Sequence, residues 1–228
     1  MMRDNLTPME TQRKPLRVDA ERNRRRLIDA ATTMFCERGL DVGVGEIADR
    51  AGVGRGTLFR NFPSKEHLIA AIVAERMGEM VIRGRACLQA EDPGEALFTL
   101  LDESVGRQQS DRALFEALED DWLANEEIRT AHAELLSVLD ALVTRAQASG
   151  QIRQDVNAID VLCMVKGVCE ASRSFAHLDP AIGARQFDLV RSALTDTSDR
   201  RRLRGSSPPL HSFEPAASAP PVTAPPAT

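Results

Sequence analysis

Residues 42–68 read VGVGEIADRAGVGRGTLFRNFPSKEHL, and the spacing of their apolar positions decides the fold. Ile47, Ala48 and Ala51 lie on one side of a short helix predicted over 46–51. A GVGR turn follows, then a second short helix over 56–62, which Pro63 stops because its ring cannot continue the hydrogen-bond ladder. Val53 in the turn, with Leu58 and Phe62 on the second helix, can share one small core with the first three residues. That leaves Arg55, Gly56, Thr57, Phe59, Arg60 and Asn61 facing outward. A recognition helix needs this division, because one face must be locked to a scaffold while the other enters the major groove.

Upstream, Ile28, Ala31 and Phe35 repeat at i, i+3 and i+7 on a bracing helix that Gly39 ends by adopting a left-handed cap. Downstream, Ser64 is expected to cap a longer helix carrying Leu68, Ile69, Ile72 and Val73, with Glu66 at its dipole-favoured start. Beyond Pro93, helical stripes recur. Leu97, Leu100, Leu101 and Val105 form one, and a further helix is expected around 114–122. Another runs over 125–149 with Ile128, Ala131, Leu135, Val138, Leu142 and Ala146 on one face, ending at Gly150. Asn157 can cap a helix of Val161, Leu162, Val165, Val168 and Ser172, and Phe187, Val190 and Leu194 mark a last one.

The expected fold is all-α, about nine helices, with an N-terminal three-helix helix-turn-helix head joined to a C-terminal helical bundle. Composition agrees: 43% of the 228 residues are hydrophobic, only 4% are aromatic, and β-branched runs are scarce. The expected organisation is a disordered basic arm over 1–18 with Arg13, Lys14 and Arg17, a DNA-binding domain over 19–66 and a helical body over 67–198. A Pro/Ala-rich tail over 199–228 has too few apolar residues to pack.

Charge is divided between these parts. Residues 1–70 hold 13 basic and 10 acidic side chains, whereas the remainder holds 16 and 24. A basic head on an acidic body concentrates cations where phosphate is met and discourages the body from sticking to it. Arg22, Arg24, Arg25 and Arg26 open the bracing helix at the dipole end that disfavours cations, which points either to DNA phosphate or to a solvated face paired with Glu21 and Asp29.

No apolar run is long enough for a membrane span or a signal peptide, so a cytoplasmic protein without a membrane partner is expected. Cys36, Cys87, Cys163 and Cys169 lack CxxC spacing, and buried structural thiols are expected rather than a zinc site. The four His residues are scattered, and no GxSxG, P-loop, HExxH or ExxH pattern occurs, so neither catalytic residues, metal nor cofactor are expected. The chain is expected not to be an enzyme. The competing class is a helical ligand-binding or scaffold protein with a non-functional head.

From Ile47 to Leu68 the chain resembles the TetR family of transcriptional regulators, whose pattern I-A-x-x-A-G-V-x-x-G-T-L-aromatic-x-x-F-x-S-K-E-x-L it matches. The resemblance implies a regulator, in the main a repressor released from its operator by a ligand. It implies that Gly56 and Thr57 bring the recognition-helix backbone close to phosphate and that Lys65 binds another phosphate. Gly45 and Glu46, at the start of the first short helix, and Gly54, at the start of the second, join the residues expected at DNA. Arg55 and Arg60 are candidates for base or backbone contact, since Arg can be bidentate to guanine. The chain departs from the family where Ser or Thr usually caps the short helices, having Gly43 and Gly54. Phe59 and Asn61 stand where Tyr and His are common, so no phenol can reach phosphate and Asn61 is left as a neutral donor.

A lone head buries too little surface for tight binding, so a homodimer on a palindromic operator is expected. Val161, Val165, Gly167, Val168, Phe187, Val190 and Leu194 on the last two helices are the expected seam. Gly167 costs its helix ~1 kcal/mol against Ala, a cost that close approach of another helix would explain. The resemblance further implies a cavity among the middle helices, lined by Phe98, Phe115, Trp122, His132 and Met164, for a small-molecule effector of unknown identity.

Overall fold

The computed structural model describes residues 13–110 and 125–195, together with 203 and 208–209. Eight helices run through them: α1 (Arg13–Arg38), α2 (Val44–Ala51), α3 (Arg55–Asn61), α4 (Lys65–Cys87), α5 (Pro93–Ser110), α6 (Glu126–Ala148), α7 (Ala158–Phe175) and α8 (Ile182–Thr195). The helix expected around 114–122 lies outside the described residues, as do positions 1–12 and most of the tail. Among the described residues no helix is long and apolar enough to cross a membrane.

The chain divides into two compact units, with the boundary between Ile72 and Val73 inside α4. In the first, α1 packs against α2 and α3. Its core is Leu27, Ala31, Met34 and Phe35 of α1, Val42, Ile47, Ala48 and Ala51 around α2, Leu58 and Phe62 around α3, and Leu68, Ile69 and Ile72 of α4. The bracing helix begins at Arg13, so residues 13–18 are helical and not part of an irregular arm. Pro15 permits this because it stands in the first turn, where backbone N–H groups have no partner inside the helix.

The helix ends follow local chemistry. Gly39 takes φ 73° and returns its N–H to the Phe35 carbonyl at 2.9 Å, closing α1. The Asn157 side chain accepts from the N–H groups of Ile159 and Asp160, while Asp160 Oδ2 accepts from the Asn157 N–H at 3.0 Å. This reciprocal cap starts α7. Asn125 caps α6 by accepting from the Ile128 N–H at 3.2 Å.

In the second unit α5 packs against α6, α7 and α8, α6 against α7, and α7 against α8. Leu97, Leu101, Leu139, Leu142, Ile159, Val165 and Phe187 lie in one continuous core. A Cβ on Gly84 of α4 would come 2.4 Å from Val138 Cγ1 and 3.2 Å from Leu100 Cδ2, so the missing side chain is what admits α5 and α6 there.

Five of the expected seam residues are corrected by this packing. Val161, Val165, Val168, Phe187 and Leu194 are all buried in the chain's own core, and Val190 packs half-buried against it. An amphipathic helix has one strongly apolar stripe, and here that stripe is used inside the chain. Gly167 is exposed, with nothing within 4 Å of where its Cβ would stand. The thiols are corrected as well: Cys36 and Cys163 are exposed, Cys87 and Cys169 half-buried. Burial pushes Cys169 up to about 11, which leaves it a protonated, unreactive thiol at neutral pH.

Candidate nucleic-acid interface

The interface is built by a short turn between two short helices. Gly52 adopts φ 63° and ψ 38°, and Val53 returns its N–H to the Ala48 carbonyl at 3.0 Å, so the chain leaves α2 and re-enters α3 within three residues. A side chain is disfavoured at Gly52 twice over, by its left-handed backbone and by Arg26 Nη2, which lies 2.7 Å from where a Cβ would be. Gly43 and Gly54 are the N-caps of α2 and α3, both extended and neither with a side-chain bond to give. The loss at Gly43 is offset by Glu46, whose Oε1 accepts from the Gly43 N–H at 3.2 Å.

Leu58 and Phe62 anchor α3 inward, with the Arg24 guanidinium 4.9 Å from the Phe62 ring centroid. The outer face holds Arg55 and Phe59, neighbours at i and i+4, along with Gly56 and Arg60. Phe59 is 50% exposed, an unusual position for a large apolar ring. Arg55 makes neither hydrogen bond nor ion pair among the described residues, whereas Arg60 Nη2 donates to Thr57 Oγ1 at 2.9 Å.

Several candidates carry bonds within the head that the sequence did not suggest. Glu46 Oε2 accepts from Arg38 Nη1 at 2.7 Å, tying the end of α1 to the start of α2. That hydrogen bond and the Gly43 N–H hold the Glu46 carboxyl below its usual range. Asn61 Nδ2 donates to the Thr57 carbonyl at 2.7 Å, which ties the amide to the last turn of α3 through one of its two N–H donors and leaves the other. Lys65 Nζ donates to the Leu40 carbonyl and lies 5.7 Å from the Phe35 ring centroid. An ammonium has three donors, so this tether still leaves Lys65 others for phosphate. The arginine cluster of α1 is divided in the same way: Arg25 pairs with Asp29 at 3.1 Å, Arg24 covers Phe62, and Arg26 lies against the Gly52 turn.

In the body, Phe98 is buried with the Arg191 guanidinium 4.8 Å from its ring centroid, and Met164 packs half-buried on the same core. His132 is buried on α6 beside Ile128 and Leu136. Phe115 and Trp122 lie outside the described residues. Burial, and to a lesser degree Lys166, lowers His132 from the ordinary 6.5. The folded chain therefore holds a neutral imidazole that the unfolded chain protonates first, so its stabilising contribution is complete above 6.5 and is lost as pH falls. Acidifying from about pH 7.5 to about pH 5.5 is expected to lower the melting temperature of the body, and His132→Asn to flatten that slope; an identical slope removes the assignment.

Residues 27–72 match the family model for bacterial regulatory proteins of the tetR family, and residues 92–196 match the C-terminal domain of SbtR-like transcriptional regulators. The HTH-type transcriptional repressor KstR2 of Rhodococcus jostii is 32% identical over 146 residues, covering 59% of this chain and 70% of that relative. The HTH-type transcriptional regulator SrpR of Pseudomonas putida is 24% identical over 155 residues, covering 66% of this chain and 73% of that one. A crystal structure of a TetR transcription regulatory protein from Mycobacterium vanbaalenii shares 33% identity at a TM-score of 0.60, over 79% of this chain and 99% of the other.

Proposed function

The chain belongs to the TetR family of transcriptional regulators, and on that premise we propose that it binds a palindromic operator as a homodimer and releases it when a small molecule enters the C-terminal body. It acts as a regulator and not as an enzyme. The observation that carries the operator proposal is the division of α3, with Leu58 and Phe62 locked inward and Arg55, Phe59 and Arg60 open on the opposite side. Such a helix offers donors and an apolar ring to base edges while its backbone register is fixed by the core beneath it.

Two-fold assembly is supported by what α7 and α8 leave exposed. Phe175 and Leu178, at the end of α7 and the turn after it, and Leu189 of α8 are large apolar side chains in solvent, and Gly167 leaves open space on the outer side of α7. Apolar surface of this kind is favourably removed from water by a second copy. The repressor mode and the effector rest on the family, together with His132 as a polar ring buried within the body.

The proposal is tested by incubating the full chain with random-sequence duplexes and sequencing those retained. Enrichment of a two-fold symmetric sequence is the expected result. Retention of no sequence above background overturns it.

A further inference from the structure

We infer that Gly45 is the seat of Arg55 and thereby decides which base pair that arginine reads; this rests on the DNA-binding reading above. Gly45 stands in the first turn of α2, and Arg55 opens α3. A Cβ built on Gly45 would lie 2.8 Å from Arg55 Nη2, 3.0 Å from Cζ and 3.1 Å from Nε. Three of the four heavy atoms of the guanidinium therefore lie against the side-chain position that Gly45 leaves empty, in space that any side chain would occupy. Glycine is the residue that lets a planar group lie this close to a helix backbone.

Stability does not account for this arrangement. A cation beside the N-terminal turn of α2 sits at the end of the helix dipole that repels it. Arg55 gains neither hydrogen bond nor ion pair there among the described residues, and Gly in a helix is less favourable than Ala. What the contact does supply is direction. An exposed arginine normally samples many rotamers, and one seated on Gly45 presents its donors along one line. Bidentate recognition of a guanine edge depends on such a fixed approach, whereas a phosphate contact tolerates many.

Gly45→Ala is the discriminating variant because the atoms it meets are the flexible tip of Arg55, which can swing away without disturbing the head. The experiment compares duplex selections by the full chain as wild type, Gly45→Ala, Arg55→Ala and the double variant, with thermal unfolding of each. Arg55→Ala is expected to relax preference at one base pair of each half-site by about 5- to 150-fold. Gly45→Ala is expected to relax the same base pair, to leave the unfolding temperature unchanged or raised, and to have no further effect once Arg55 is gone. A Gly45→Ala profile like wild type, a change at a different base pair, an equal change in the Arg55→Ala background, or a lowered unfolding temperature each overturns the inference while leaving DNA binding standing. Selection of no duplex by the wild type removes both.

Discussion

Phe62→Ala is expected to abolish DNA binding at every sequence by melting the head. Phe62 is among the largest side chains that are almost wholly buried, and it closes α3 against α1 beneath the Arg24 guanidinium. Removing a buried phenyl group costs about 3–5 kcal/mol, from lost transfer free energy and from the cavity left behind. The first unit ends at Ile72, and a unit so small buries a low fraction of its surface, so a loss of this size is comparable with its whole stability. Calorimetry is expected to show an early transition appearing or moving down, with the transition of the body in place. Wild-type affinity in the variant would contradict the core described here.

Arg55→Ala is expected to have the second largest effect, through the interface and not through the fold. Its guanidinium is exposed and makes no bond within the described residues, so truncation removes nothing from the head's hydrogen-bond network. One bidentate base contact discriminates by about 1–3 kcal/mol, and a palindrome read by two copies engages it twice. The combined loss on the selected operator is then about 30-fold to 10⁴-fold, with the unfolding temperature unchanged. Equal affinity of wild type and variant, measured by anisotropy on the selected duplex, would remove Arg55 from the contacts.

The features legible in the sequence are those that local chemistry decides. Gly39 must end α1 because a left-handed residue is needed there, and Asn157 must begin α7 because its side chain satisfies orphan N–H groups. The inward and outward faces of α3 follow from helical periodicity alone. What stayed hidden depends on contacts between positions distant in sequence. Lys65 reaches Leu40 across twenty-five positions, and Arg38 ties to Glu46 across a helix end. Nothing in the sequence around Asn61 announces that one of its amide N–H groups turns back to Thr57. That five residues of the expected seam serve the chain's own core was hidden for a related reason. Val161 and Phe187 carry the apolar periodicity that any covered face requires, and periodicity does not say whether the cover is the same chain or another.

Whether two copies of this head grip one duplex through their recognition helices is decided by titrating the selected operator with the full chain at about 50 mM and about 200 mM salt, read by anisotropy and by the mass of the complex. Two chains per duplex are expected, with an affinity that falls steeply with salt, by about 10³ to 10⁵ if six to ten phosphates are neutralised. One chain per duplex, or no binding at the lower salt, would contradict the two-copy grip.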